Sequence, residues 1–131
     1  MSKVEGLGHV AISVKDIEAS IAFYNLFGMK VDKRDHSDRP DGSSAELAII
    51  SVGDCALELI QPSNGAITGT GCIPHLCLRV SGIEDVVADL EKKGVTTFAP
   101  GGVQTRKVFG GLKNIMLSGP DGEILELLEA L

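Results

Sequence analysis

Between Leu7 and Val14 the chain reads LGHVAISV, with Val10, Ile12 and Val14 on one side of a two-residue period and His9, Ala11 and Ser13 on the other. That alternation predicts a half-buried strand. From Asp16 the period lengthens, and Ile17, Ile21 and Tyr24 fall on one stripe at helical spacing. Asp16 suits the N-cap of this helix and Gly28 suits the left-handed position beyond its end. Three further strands are predicted over residues 29–36, 45–52 and 56–61, with Gly53 and Asp54 as the turn before the last. The order is β-α-β-β-β.

The pattern occurs twice. GHVAISVKDIEASIAFYNLFGM, from Gly8, is matched by PHLCLRVSGIEDVVADLEKKGV, from Pro74. His9 falls on His75, Ile17 on Ile83, Glu18 on Glu84 and Gly28 on Gly94, each pair 66 residues apart without a gap. The second strand, over 73–80, puts Leu76, Leu78 and Val80 on one face and His75, Cys77 and Arg79 on the other. Ser81 is the expected cap of the second helix, whose stripe is Ile83, Val86, Val87 and Leu90; strands follow at 96–99, 113–118 and 124–129, with Asp121-Gly122 as a turn. Two copies mean a duplication, because a solenoid needs at least three. The expected fold is α+β: one domain over 1–131 made of two tandem βαβββ modules, about 5–62 and about 72–131, forming a curved mixed sheet. Residues 37–44 and 101–111 read as mobile loops. In the second, Gly101, Gly102, Gly110 and Gly111 bracket VQTRKVF, which predicts a hinged lid bringing Arg106, Lys107 and Phe109 to a ligand.

The polar positions on these strands carry the chemistry. The helices need an apolar sheet face, so His9 and His75 lie on the opposite, concave side. Their same-face neighbours, Ala11 and Cys77, are small and leave room above the sheet. The last strand of each module holds a carboxylate between leucines, Glu58 in ALELIQP and Glu126 in ILELLEA. Such a group is costly to desolvate without a partner. His9, Glu58, His75 and Glu126 together make a two-nitrogen, two-oxygen set for one divalent metal ion, with positions open to water or substrate. Nickel, zinc, cobalt or manganese suits such a set. Glu123 and Glu129 read as solvated. Arg79, on the metal face, is placed to meet an anionic substrate group or to pair at the rim.

Composition narrows the partners. The 131 residues carry a formal net charge of −6 and a pI near 4.9, which disfavours nucleic acid and anionic membranes. No apolar run approaches the ~18 residues of a membrane span, and residues 1–5 hold no signal-peptide core. Three cysteines without CxxC spacing, Cys55, Cys72 and Cys77, predict reduced thiols acting as small apolar filler, hence a cytoplasmic location. Exposed edge strands and a polar concave face predict a homodimer acting on a small molecule.

GHVAISVKD, LELIQP, PHLCLRV and GPDGEILELLE make the chain similar to the vicinal oxygen chelate family, with its glyoxalase/bleomycin resistance/dioxygenase fold, over nearly its whole length. The resemblance implies paired βαβββ modules cupping a metal, with ligands at His9, Glu58, His75 and Glu126. The four-ligand set resembles glyoxalase I, a lactoylglutathione lyase. That likeness implies proton abstraction alpha to a carbonyl through a metal-stabilised enediolate, Glu126 as leading base and Glu58 serving from the opposite side. Where the glutathione-type enzyme usually has Arg and Asn, this chain has Ser13 and Pro62, so its thiol-holding pair is missing. The substrate-facing set expected here is Ser13, Arg79, Lys107 and Phe109. ELIQP and HLCLRV resemble methylmalonyl-CoA epimerases equally, which makes an epimerase the alternative, with Glu46 as a second base or merely exposed. A drug-sequestering resistance protein is the non-catalytic alternative. An extradiol dioxygenase would leave Glu58 without a ligand role. The family implies dimers, with each site built within one chain or shared between two.

Overall fold

A computed structural model describes residues 2–3, 5–67, 69 and 71–131; Met1 and Val4 of the N-terminal stretch, and Thr68 and Thr70 between the repeats, lie outside the described residues. The chain divides into two compact units, Met1–Thr68 and Gly69–Leu131. The first comprises β1 (Val10–Ser13), α1 (Ile17–Asn25), β2 (Lys30–Asp38), β3 (Ser44–Val52) and β4 (Cys55–Pro62). The second comprises β5 (Leu76–Arg79), α2 (Ile83–Lys92), β6 (Gln104–Arg106), β7 (Leu112–Ser118) and β8 (Ile124–Ala130). Strand orders are β1-β4-β3-β2 and β5-β8-β7-β6, each with one parallel pair, β1/β4 or β5/β8, and antiparallel pairing elsewhere. The wiring of the two units is identical. The fold is α+β, two βαβββ modules, as the repeat predicts.

Each helix covers the leucine face of its own last strand. Leu57 and Leu59 of β4 are buried with Val14, Ile17, Tyr24, Met29, Ala48 and Ile50. Leu125 and Leu127 of β8 are buried with Ile83, Val87, Leu90, Val95, Ile115 and Leu117. Each leucine so enclosed contributes roughly 1.5–3 kcal/mol of apolar burial. Strand pleating then turns Glu58 and Glu126, between those leucines, onto the other face.

The helix ends follow the sequence in part. Asp16 caps α1, its Oδ1 accepting from the Ala19 N–H at 3.1 Å. Gly28 and Gly94 lie beyond the helix ends at φ 86° and 99°, where a β-carbon would be strained. Ser81 does not cap α2. The cap position is Gly82, and Glu129 of β8 accepts from the Gly82 N–H at 2.6 Å and the Ile83 N–H at 3.2 Å. Glu129 is therefore engaged at a helix N-terminus, not merely solvated. Gln61 of β4 does the same for α1, its Oε1 accepting from the Ile17 N–H at 2.7 Å. Glu123 also has a task, accepting from the Asp121 N–H at 2.9 Å across the last turn.

Both segments expected as loops contain more regular structure than the pattern predicts. Residues 39–43 form a closed hairpin turn in which Arg39 N–H donates to the Ser43 carbonyl at 2.8 Å, while Ser43 N–H and Oγ–H donate to Asp41 at 2.9 and 2.6 Å. The strand expected at 96–99 reduces to one bridge, Phe98 to Leu117, and the edge strand is β6, inside the segment expected as a lid. Gly101 and Gly102 turn the chain at φ 95° and 70°, and Gln104 closes that turn by donating to the Gly101 carbonyl at 2.9 Å. The turn delivers residues 104–106 to β7. Beyond it, a short 3-10 turn over Val108–Gly110 leaves Phe109 at φ 51° and 96% exposed.

Candidate metal centre

Register places the carboxylates. On the parallel pair of the first unit Ala11 lies opposite Glu58, and on that of the second Cys77 lies opposite Glu126. Opposed residues share a sheet face, so His9 and His75, two residues earlier, lean over the same carboxylates. His9 Nε2 stands 3.5 Å from Glu58 Oε1, and His75 Nε2 stands 3.3 Å from Glu126 Oε1. The imidazoles are 43% and 39% exposed and the carboxylates only 23% and 13%, so the acids sit at the floor and the histidines toward the opening. Both histidines lie one residue ahead of their strands, where the backbone is no longer committed to the ladder.

The separation within each pair is compatible with two donors to one ion. Bonds of about 2.1 Å from one ion to a nitrogen and an oxygen separate the two donors by ~3.0 Å at a right angle and ~3.4 Å at the tetrahedral angle. Both observed separations are longer than a good N–H···O hydrogen bond. Among the described residues the donors occur as pairs, and no group of three or more His, Cys, Asp or Glu converges.

The surroundings differ between the units. Glu58 borders a cleft of about 450 Å³ also lined by Lys33, Asp35, Leu47 and Ile49. Glu126 Oε2 accepts from Asn114 Nδ2 at 2.8 Å. Partial burial and the neighbouring Glu126 carboxylate push the Cys77 thiol up to about 11, against a weaker opposite pull from Arg79. Cys77 is exposed rather than core filler, and Cys72 is exposed as well. Sequence reasoning missed Asn114. The available signal was a break in the repeat, since the same register position in β3 is Leu47.

The remaining expected residues are less concentrated. Ser13 shares the strand face of Ala11, and Arg79 shares that of Cys77. Lys107 and Phe109 are exposed on the segment between β6 and β7. Glu46 is not a second base beside Glu58. It lies an odd number of residues from Ile49, the partner of Glu58, and so on the opposite face, where it accepts from His36 Nδ1 at 2.7 Å. His36 also contacts Asp38 at 3.0 Å through Nε2, and these two carboxylates hold its imidazole above the ordinary histidine value.

Residues 8–111 match the model of the Glyoxalase/Bleomycin resistance protein/Dioxygenase superfamily. Human mitochondrial methylmalonyl-CoA epimerase is 30% identical over 102 residues, 71% of this chain and 56% of that protein, so the match spans just over half of that relative's length. The structure of a glyoxalase family protein from Bacillus cereus superposes with a TM-score of 0.78 at 19% identity, covering 99% of this chain and 97% of that one. A bleomycin resistance determinant encoded on the transposon Tn5 superposes with a TM-score of 0.67 at 20% identity over 95% of this chain and 98% of its own. The repeated modules, their paired histidines and carboxylates and the family match converge: the chain belongs to the Glyoxalase/Bleomycin resistance protein/Dioxygenase superfamily.

Proposed function

We propose that this protein is a metal-dependent isomerase that removes and returns a proton alpha to a carbonyl, acting as a homodimer on an acyl thioester in the manner of a methylmalonyl-CoA epimerase. The observation that carries the reading is the repeated His–Glu pair, His9 with Glu58 and His75 with Glu126, at the same register of both units. His9, Glu58, His75 and Glu126 together hold one divalent ion, of nickel, zinc, cobalt or manganese. When bound, the ion supplies Lewis-acid stabilisation to the negative charge that develops on the substrate oxygens. The remaining chemistry belongs to the chain. A carboxylate oxygen of Glu58 or Glu126 accepts the proton from the alpha carbon, and a proton supplied from solvent to the opposite face of the planar carbon inverts the centre. Arg79, Ser13, Lys107 and Phe109 contact the rest of the substrate. Ala11 and Cys77 keep the floor low enough to admit it.

The epimerase relative at 30% identity supports the thioester substrate. The second reading is a hemithioacetal lyase of the glyoxalase I type, favoured by a carboxylate at Glu58 as well as at Glu126. The absence of an arginine at Ser13 and of an asparagine at Pro62 weighs against glutathione as its thiol. A binding protein of the bleomycin-resistance kind has no need of two His–Glu pairs. The test is exchange of the alpha proton of methylmalonyl-CoA with deuterium from solvent, followed by NMR with and without a chelator. Chelator-sensitive exchange is expected. No exchange with the thioester but turnover of a hemithioacetal would transfer the protein to the lyase reading, and inertness toward both would refute an isomerase.

A further inference from the structure

The two carboxylates occupy the same register but are held differently. Glu126 has a donor besides its imidazole, Asn114 Nδ2 at 2.8 Å. The pairing of Ile49 with Glu58 matches that of Met116 with Glu126, so Leu47 stands where Asn114 stands. Leu47 has no side-chain donor. Among the described contacts Glu58 has only His9, at 3.5 Å, and it is more exposed, 23% against 13%. It also borders the cleft of about 450 Å³, which gives its side chain somewhere to go. A carboxylate with charge-assisted hydrogen bonds on one oxygen has its rotamer fixed and its other oxygen aimed, here at His75.

Resting on the function proposed above, we infer that Asn114 is a positioning residue that locks Glu126 as the permanent ligand carboxylate and leaves Glu58 as the carboxylate that moves and carries the proton. This reverses the order implied by the C-terminal motif, in which Glu126 leads. The two units thus hold their acids differently at one matching position, Leu47 in the first and Asn114 in the second.

The test titrates the chelator-stripped protein with Co²⁺ alone, following visible absorption and competition with a chelator, and measures alpha-proton exchange alongside. Asn114→Leu, which installs the side chain of the first unit, weakens Co²⁺ binding about 10–100-fold. Asn114→Gln, which keeps the amide donor, recovers most of that loss. Glu58→Gln retains Co²⁺ within about tenfold but loses proton exchange by at least ~100-fold, whereas Glu126→Gln loses Co²⁺ itself. If Asn114→Leu does not fold, Asn114→Ala carries the comparison. Wild-type Co²⁺ affinity in the folded Asn114 variant overturns the inference, as does a loss that Gln fails to rescue. It also falls if Glu126→Gln stays metal-loaded and inactive while Glu58→Gln still turns over. If the wild-type protein takes up no Co²⁺, the metal site fails, and this inference with it. Normal uptake with an unaffected Asn114 variant sinks the inference alone.

Discussion

Replacing Glu129 by alanine removes both acceptors at the start of α2, which has no other side-chain cap. The two N–H groups it serves differ in exposure. That of Ile83 is partly buried, while that of Gly82 is exposed and recovers water after truncation. Hydrogen bonds to a charged group are worth ~1.5–3 kcal/mol and caps ~0.5–2 kcal/mol, so partial resolvation brings the expected loss to about 1–2 kcal/mol. The acid also faces the positive end of the helix, which adds to the effect at low salt. For a chain of this size the melting midpoint should fall by about 3–8 °C. Glu129→Gln keeps an acceptor without the charge and should lose about half as much. Circular dichroism gives the midpoint, and hydrogen exchange localises it, with the Gly82 and Ile83 amides losing protection first. A midpoint within ~1 °C of wild type for Glu129→Ala, with those amides still protected, would refute the reasoning.

Leu127→Ala truncates a fully buried side chain in the core under α2 and should cost about 2–5 kcal/mol in urea unfolding, while its exposed strand neighbour Ala130 tolerates Ser with little change. His36 titrates above the ordinary value of 6.5 because Glu46 and Asp38 accept from its ring. The stability it adds is therefore complete below pH ~6.5 and fades as pH rises through its raised folded value. An NMR titration should show that value falling toward the ordinary one in Glu46→Gln, and no movement would remove Glu46 as the main cause.

Much of the fold was legible because the two repeats share one physical pattern. Alternation in LGHVAISV and PHLCLRV, leucines on either side of Glu58 and Glu126, and glycines past the helix ends each constrain local geometry directly. What was not legible came from contacts between distant segments. Ser81 lost the α2 cap to Glu129, 48 residues away in sequence, because only the sheet brings that carboxylate to the helix. The edge strand moved from 96–99 to Gln104–Arg106 because two left-handed glycines turn the chain late, and propensity does not say where a turn closes. The His–Glu pairs were found from strand face and matching repeat position. The support from Asn114 was not, because the break in the repeat at its position gains meaning only once the strand across the sheet is known.

The most direct test of the account is the metal content of the purified protein and of two single variants, His9→Ala and His75→Ala, after dialysis against one divalent ion and removal of excess. The pairs His9–Glu58 and His75–Glu126 are expected to act as halves of one centre. Wild-type protein should then retain one ion per four-ligand set, and each variant should lose it. Full retention of the ion by both variants would contradict the account.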